Sequence, residues 1–149
     1  MFLALTAIGA TVLFLSGVIW TKRKKDRQEL ELNSITAEAL HTLMASNEKV
    51  LLFDVRQPLD LLGHSEIIRG ATWISPNALL KNPSLIPQDK DTVVYCTCPG
   101  DKSSRAVLHR AQAMHFLRVK FLKGGLAGWK AKGYPVEPYN QPFHLDTAT

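Results

Sequence analysis

Both cysteines of the chain fall in one short stretch, VVYCTCPGDKSSRA, residues 93–106. Cys96 and Cys98 stand one residue apart. They follow an apolar β-branched run and lead into a segment with helical spacing. A thiol at such a strand–loop–helix junction has a physical advantage. The first turn of a helix presents unpaired N–H groups and a partial positive charge. Both stabilise a thiolate and lower its pKa from about 8.5. Pro99, Gly100, Asp101, Lys102 and Ser103 can curl their amides around an anion, with Gly100 supplying backbone freedom. Lys102 and Arg105 add positive charge, and Ser103 and Ser104 add hydroxyls. The set suits nucleophilic attack on an anionic sulfur- or phosphorus-centred substrate. The alternative is that the cysteines are small apolar core residues.

Other uses of the thiols fit less well. A mutual disulfide across C-x-C would close a strained ring. Two cysteines are too few for a disulfide framework, and unbridged thiols suit a reducing compartment. His64, His109 and His115 show no ligand spacing with the loop, so neither a metal nor a cofactor is expected.

The elements around the loop alternate. Ser34 or Thr36 can N-cap a helix of about 36–45, with Leu40, Leu43 and Met44 on its core face. KVLLFDV (49–55) reads as a buried parallel strand, and Pro58 opens a turn of helix after it. ATWISP is a short strand and NALLKN a short helix. DTVVYC is the strongest strand, followed by a helix over 103–116 with Val107, Ala111 and Met114 on one face. RVKFLKGG is a strand running into a glycine turn, and LAGWKAKG a short helix. Residues 136–149 show no periodicity. Alternating strands and helices predict an α/β domain with a covered parallel sheet. Sites in such folds lie beyond the carboxyl ends of strands, where the cysteine loop falls.

The N-terminus is different in kind. Phe2 to Trp20 is nineteen residues without a charge. As a helix it would span about 28 Å, close to a bilayer's hydrocarbon thickness. A secretory signal carries its positive charge before the apolar core, whereas here KRKKDR (22–27) follows it. That hexapeptide holds five bases against one acid and so accounts for four of the chain's five net positive charges. The remainder is nearly neutral, which argues against nucleic-acid binding. The positive-inside rule places the basic run and the following domain in the cytoplasm. We therefore expect a single-pass membrane protein: an anchor at 1–21, a basic juxtamembrane linker at 22–33, a domain at 34–138 and a tail at 139–149.

LLFDVRQPLDLLGH followed by RGA resembles the opening of rhodanese-like domains. DKDTVVYC is similar to their strand leading to the catalytic cysteine, and FLKGGLAGWKAKGYPVEP to their closing signature. The resemblance covers about 34–138. It implies a five-stranded parallel sheet flanked by helices. It also implies a sulfurtransferase that carries sulfane sulfur as a cysteine persulfide. The partners would be a small thiosulfate- or persulfide-type donor and a thiol or cyanide-like acceptor; no protein acceptor is indicated. By resemblance Asp54 and Arg56 are structural or pocket-edge residues, and Gly124, Gly125 and Trp129 pack near the site. The chain departs from the family in two places. SEIIRGA is longer than the usual link after Gly-His, and about two residues are inserted in the cysteine loop. The C-x-C-P loop resembles a variant of membrane-associated members. Aligned from the strand, Cys96 is the nucleophile and Cys98 a resolving thiol, which is the assignment we expect. Aligned from the helix, at Ser103–Ser104, the loop begins at Cys98 and Cys96 is buried and inert.

Two other functions compete. Phosphatase or arsenate-reductase chemistry usually needs His-Cys-x5-Arg. Here Tyr95 precedes Cys96, and Arg105 follows after eight residues from Cys96 or six from Cys98. A non-catalytic membrane-tethered binding module would leave the basic loop and its thiols without a task.

Overall fold

The computed structural model describes residues 15–22, 24–25, 28, 31–46, 49–97, 102–116 and 118–142. The chain divides into two units, residues 1–33 and 34–149. In the first, residues 15–22 are helical and leave Leu15, Val18, Ile19 and Trp20 exposed, with the Lys24 ammonium 5.5 Å from the Trp20 ring centre. No helix among the described residues is long and apolar enough to cross a membrane. Most of the expected anchor, residues 1–14, lies outside the described residues.

The second unit is built on five parallel strands in the order β1-β6-β5-β2-β4. These are β1 (Ser34–Ile35), β2 (Leu51–Asp54), β4 (Thr72–Trp73), β5 (Thr92–Tyr95) and β6 (Val119–Leu122). β5 is central and buried along its whole length, as its β-branched and aromatic composition requires. The crossovers carry α1 (Ala37–Ala45), α2 (Pro58–Gly63), α3 (Pro76–Lys81), a 3-10 turn (Pro83–Leu85), α4 (Lys102–Ala113) and α5 (Gly125–Ala131). The α/β architecture and parallel sheet expected from the sequence are what the chain forms. Of the two candidate caps for α1, Thr36 is the one used, its hydroxyl accepting from Ala39 N–H at 3.2 Å.

One face of the sheet packs Leu52, Val93, Tyr95 and Leu122 against Leu40 of α1 and Leu126 and Trp129 of α5. Trp129 is fully buried, and its indole N–H donates to Pro135 O at 3.0 Å. Beside it the His41 ring stacks on Tyr134 at 4.2 Å. The other face is covered by α4, which turns Val107, Leu108 and Ala111 inward.

Three readings of the sequence need correction. The helix expected to reach 116 ends at Ala113, and Met114 is 39% exposed where burial was expected. His115 takes a left-handed conformation (φ 61°). Its N–H bonds to Gln112 O and that of Phe116 to Ala111 O, a closure that turns Phe116 inward in place of Met114. Next, the stretch after Val136 is not without structure. β7 (Val136–Pro138) pairs antiparallel with β3 (Glu66–Ile68), and neither was read from the sequence. Last, Ser34 belongs to a two-residue strand, β1, that was also missed. Elements this short hold too few residues to show alternation.

At the carboxyl end of β2, Asp54 and Arg56 form a fully buried ion pair. The Arg56 guanidinium meets both Asp54 carboxylate oxygens through Nε (3.0 and 2.9 Å) and Oδ2 again through Nη2 (2.6 Å). It also donates to the carbonyls of His64 and Glu66, both at 2.7 Å. Removing the cation leaves a buried carboxylate without compensation. Arg56→Met is therefore expected to lower stability in urea by about 3–5 kcal/mol. Arg118→Met, at the exposed Arg118–Asp91 pair (2.9 Å), is expected to cost no more than about 1 kcal/mol.

The exposed Glu38–Lys132 pair (2.5 Å) gives a pH dependence. The hydrogen bond from Lys132 holds the Glu38 carboxyl down to about 2, against an ordinary 4.5. A depressed carboxylate stabilises the folded state above its unfolded pKa, and that contribution fades as pH falls from about 4.5 towards 2. Melting temperatures across this window should fall less steeply for Glu38→Gln than for the wild type.

Candidate active site

β5 delivers Cys96 at the carboxyl end of the central strand, one residue beyond Tyr95. Tyr95 O accepts from Val55 N–H (2.9 Å), and Cys96 O accepts from Leu126 N–H (3.2 Å). The start of α5 is therefore fastened to the backbone of the cysteine. Cys96 is fully buried. Burial of the thiol is compatible with a nucleophile and with an inert core residue alike.

The approach of α5 to Cys96 depends on its glycines. Gly124, the N-cap of α5, is left-handed (φ 76°), and Gly125 follows at φ 52°. A Cβ on Gly124 would lie 3.4 Å from Gly128 Cα, and one on Gly128 would lie 3.3 Å from Lys123 O. The Gly-Gly-Leu-Ala-Gly run thus lets the helix turn in tightly and present the Leu126 amide. That amide was not among the expected site residues. Its signal is a glycine pair at the end of a strand, directly before a helix.

Tyr95 anchors the other side. Its hydroxyl accepts from Ile68 N–H at 3.1 Å. Burial first, and then the neighbouring Asp54 carboxylate, push the phenol far above its ordinary range, so it stays neutral. Asp54 lies in register with Tyr95 on the adjacent strand. The Asp54–Arg56 pair is thus beside the residue that precedes the cysteine, and its two charges balance each other. Trp73 Nε1 donates to Arg56 O at 3.0 Å and closes the cluster from β4.

Of the other expected site residues, Cys98, Pro99, Gly100 and Asp101 lie outside the described residues. Lys102, Ser103, Ser104 and Arg105 form the first turn of α4. Ser104 is fully buried and Arg105 partly so. Gly125 and Trp129 are buried in α5, on the side away from solvent.

The rhodanese-like domain model matches residues 36–132. The chain belongs to the rhodanese-like family. A protein named sulfurtransferase from Allochromatium vinosum is 32% identical over 105 residues, covering 70% of this chain and 94% of that protein. Among solved structures, a rhodanese-related protein from Thermoplasma volcanium is 27% identical, with a TM-score of 0.57, over 70% of this chain and 97% of that one. A Lactobacillus plantarum protein shares the fold at 23% identity and a TM-score of 0.67, over 79% and 98% of the two chains. The five-stranded parallel sheet that the resemblance implied is therefore that of a rhodanese-like domain.

In this rhodanese-like chain the N-cap of α5 is a left-handed backbone position that favours glycine. Gly124→Ala is expected to cost about 1–2 kcal/mol of stability in urea. Gly63→Ala, where a Cβ would meet nothing within 4 Å, is the matched control and should be close to neutral.

Proposed function

We propose that this chain is a sulfurtransferase that carries sulfane sulfur as a persulfide on Cys96. The observation that supports it most is the place of Cys96: at the carboxyl end of the central strand, held by the start of one helix and followed by a second of twelve residues. The thiolate would attack the outer sulfur of a thiosulfate- or persulfide-type donor. Loop amides of residues 100 and 101, the α4 N-terminus and the cations Lys102 and Arg105 would stabilise the bound anion, while Pro99, which has no N–H, would shape the loop. The sulfur would then pass to a thiol or cyanide-like acceptor. Cys98 would act as a resolving thiol: its thiolate attacks Cys96 Sγ of the persulfide, the persulfide S–S bond breaks, hydrosulfide leaves with the electron pair, and two equivalents of external thiol reduce the transient strained Cys96–Cys98 bond. No metal or cofactor enters this scheme.

The assignment is tested by incubating the protein with a sulfane donor and reading the added sulfur by mass spectrometry. Cys96→Ser should abolish the adduct, because a serine hydroxyl is too weak an acid to replace the thiol. Cys98→Ser should still take up sulfur. Uptake at the wild-type rate on Cys98 in the Cys96→Ser protein would reverse the roles. Hydrolysis of a phosphate ester without sulfur uptake would favour the phosphatase alternative, and neither activity would favour a binding module.

We propose also that residues 2–20 anchor the domain to a membrane with the domain in the cytoplasm. The support is the uncharged nineteen-residue run and the bases that follow it. In intact cells an impermeant thiol reagent added outside should leave Cys96 and Cys98 unlabelled, and the mature chain should retain residues 1–20. Labelling from outside, or loss of that segment, would sink the proposal.

A further inference from the structure

A cavity of about 290 Å³ opens at the amino-terminal end of the sheet, the end opposite Cys96. Thr92 and Val93 of β5 line it. Thr92 and Cys96 are four residues apart on extended chain, so about 13 Å of strand separates the cavity from the cysteine.

The lining is of two kinds. Ile35, Leu43, Val50 and Val93 form an apolar wall. Ile35 and Val93 belong to the packed core, whereas Leu43 and Val50 are only partly buried against it. The charged part is Asp91, Arg118 and Lys120, one negative and two positive groups. Two of these neutralise each other. Arg118 Nε and Nη2 donate to the two Asp91 carboxylate oxygens, both at 2.9 Å, and its Nη1 donates to Asp89 O at 3.0 Å. Lys120 carries the remaining charge. It stands in register with Val93, so the two side chains leave the same face of the sheet. Lys120 is exposed, and among the described residues its ammonium has no hydrogen-bond or ion-pair partner.

An unpaired cation beside an apolar wall selects one ligand chemistry. A neutral apolar molecule would gain nothing from the ammonium. A dianion would bring its second charge against the Asp91 carboxylate. A monoanion with a small apolar body uses both parts of the lining. The volume is at the lower end of the range for small-molecule sites, roughly 300–1,000 Å³. It suits one ring or a short chain, not a nucleotide.

We infer that this cavity is a binding site for a small organic monocarboxylate, with the carboxylate on Lys120 and the apolar body against Leu43, Val50 and Val93. Binding there does not require sulfur on Cys96.

The test titrates the full chain, labelled at its isoleucine, leucine and valine methyls, with benzoate, benzamide and acetate near neutral pH. Benzamide is the neutral isostere of benzoate, and acetate has the charge without the body. Benzoate should shift the methyl signals of Ile35, Leu43, Val50 and Val93 saturably, with a Kd of about 1 mM or tighter, modest for a ligand of this size. Benzamide and acetate should each bind about tenfold more weakly or worse, having lost a hydrogen bond to a charged group or the apolar contact. Lys120→Met should reduce benzoate to the level of benzamide, and Lys120→Arg should bind benzoate nearly as wild type does. Equal affinity for benzoate and benzamide overturns the inference, leaving an unselective apolar dent. Equal affinity for benzoate and acetate does so too, leaving a surface cation without a site. A Lys120→Met protein that keeps its preference for benzoate, shifts confined to the Leu126 methyls at the Cys96 end, or no saturation at ten times the expected Kd would each have the same consequence. The comparison of the three ligands on wild type needs no variant to fold.

Discussion

A carboxylate and a guanidinium with no exposure to water sit at the end of β2, and the carboxyl edge of the sheet is organised around them. Such a pair survives burial only when the remaining donors are also satisfied. Arg56 meets that condition by reaching the carbonyls of His64 and Glu66. The chain must therefore return to β2 after α2, and its return places β3 for pairing with β7. Tyr139 N–H then bonds to Ser65 O at 2.6 Å, which holds the far end of the domain against the same loop. One electrostatic requirement thus propagates through backbone hydrogen bonds to segments far apart in sequence.

The same pair bears on chemistry by what it withholds. Asp54 is in register with Tyr95, the residue before the cysteine, so the buried pair stands beside the strand that delivers Cys96. The Arg56 charge is balanced by Asp54, and its hydrogens go to backbone carbonyls. On the sulfurtransferase reading proposed above, positive potential for an anion at Cys96 would come from the N-terminal end of α4. Backbone sources of this kind stay aligned without reorganisation, which is the property that makes them effective in stabilising developing charge.

How the neighbouring elements pack around the end of β5 depends on glycine on one side and on helix phase on the other. Gly124 in its left-handed conformation lets α5 begin immediately after β6 and donate the Leu126 amide to Cys96 O. The phase of α4, set by burial of Val107, Leu108 and Ala111, carries Ser104 inward with them. Apolar packing of one helix thereby decides where a polar group is aimed.

The residues by themselves made the strand–loop–helix order legible, together with the place of Cys96 after a buried strand and the Gly-Gly opening of α5. These follow from local rules: β-branched runs, helical spacing and conformations that glycine alone adopts easily. The burial of Ser104 was not legible, because the phase of its helix is fixed by what it packs against. Met114 was misread for a related reason: His115 ends the helix in a left-handed turn, and side-chain spacing carries no sign of it. β1, β3 and β7 escaped because strands of two or three residues are defined by backbone partners elsewhere in the chain. The joining of Asp54 and Arg56 to the carbonyls of His64 and Glu66, and of Cys96 O to the Leu126 amide, belongs wholly to the tertiary structure. Backbone groups are the same at every residue, so only the folded path determines which of them meet.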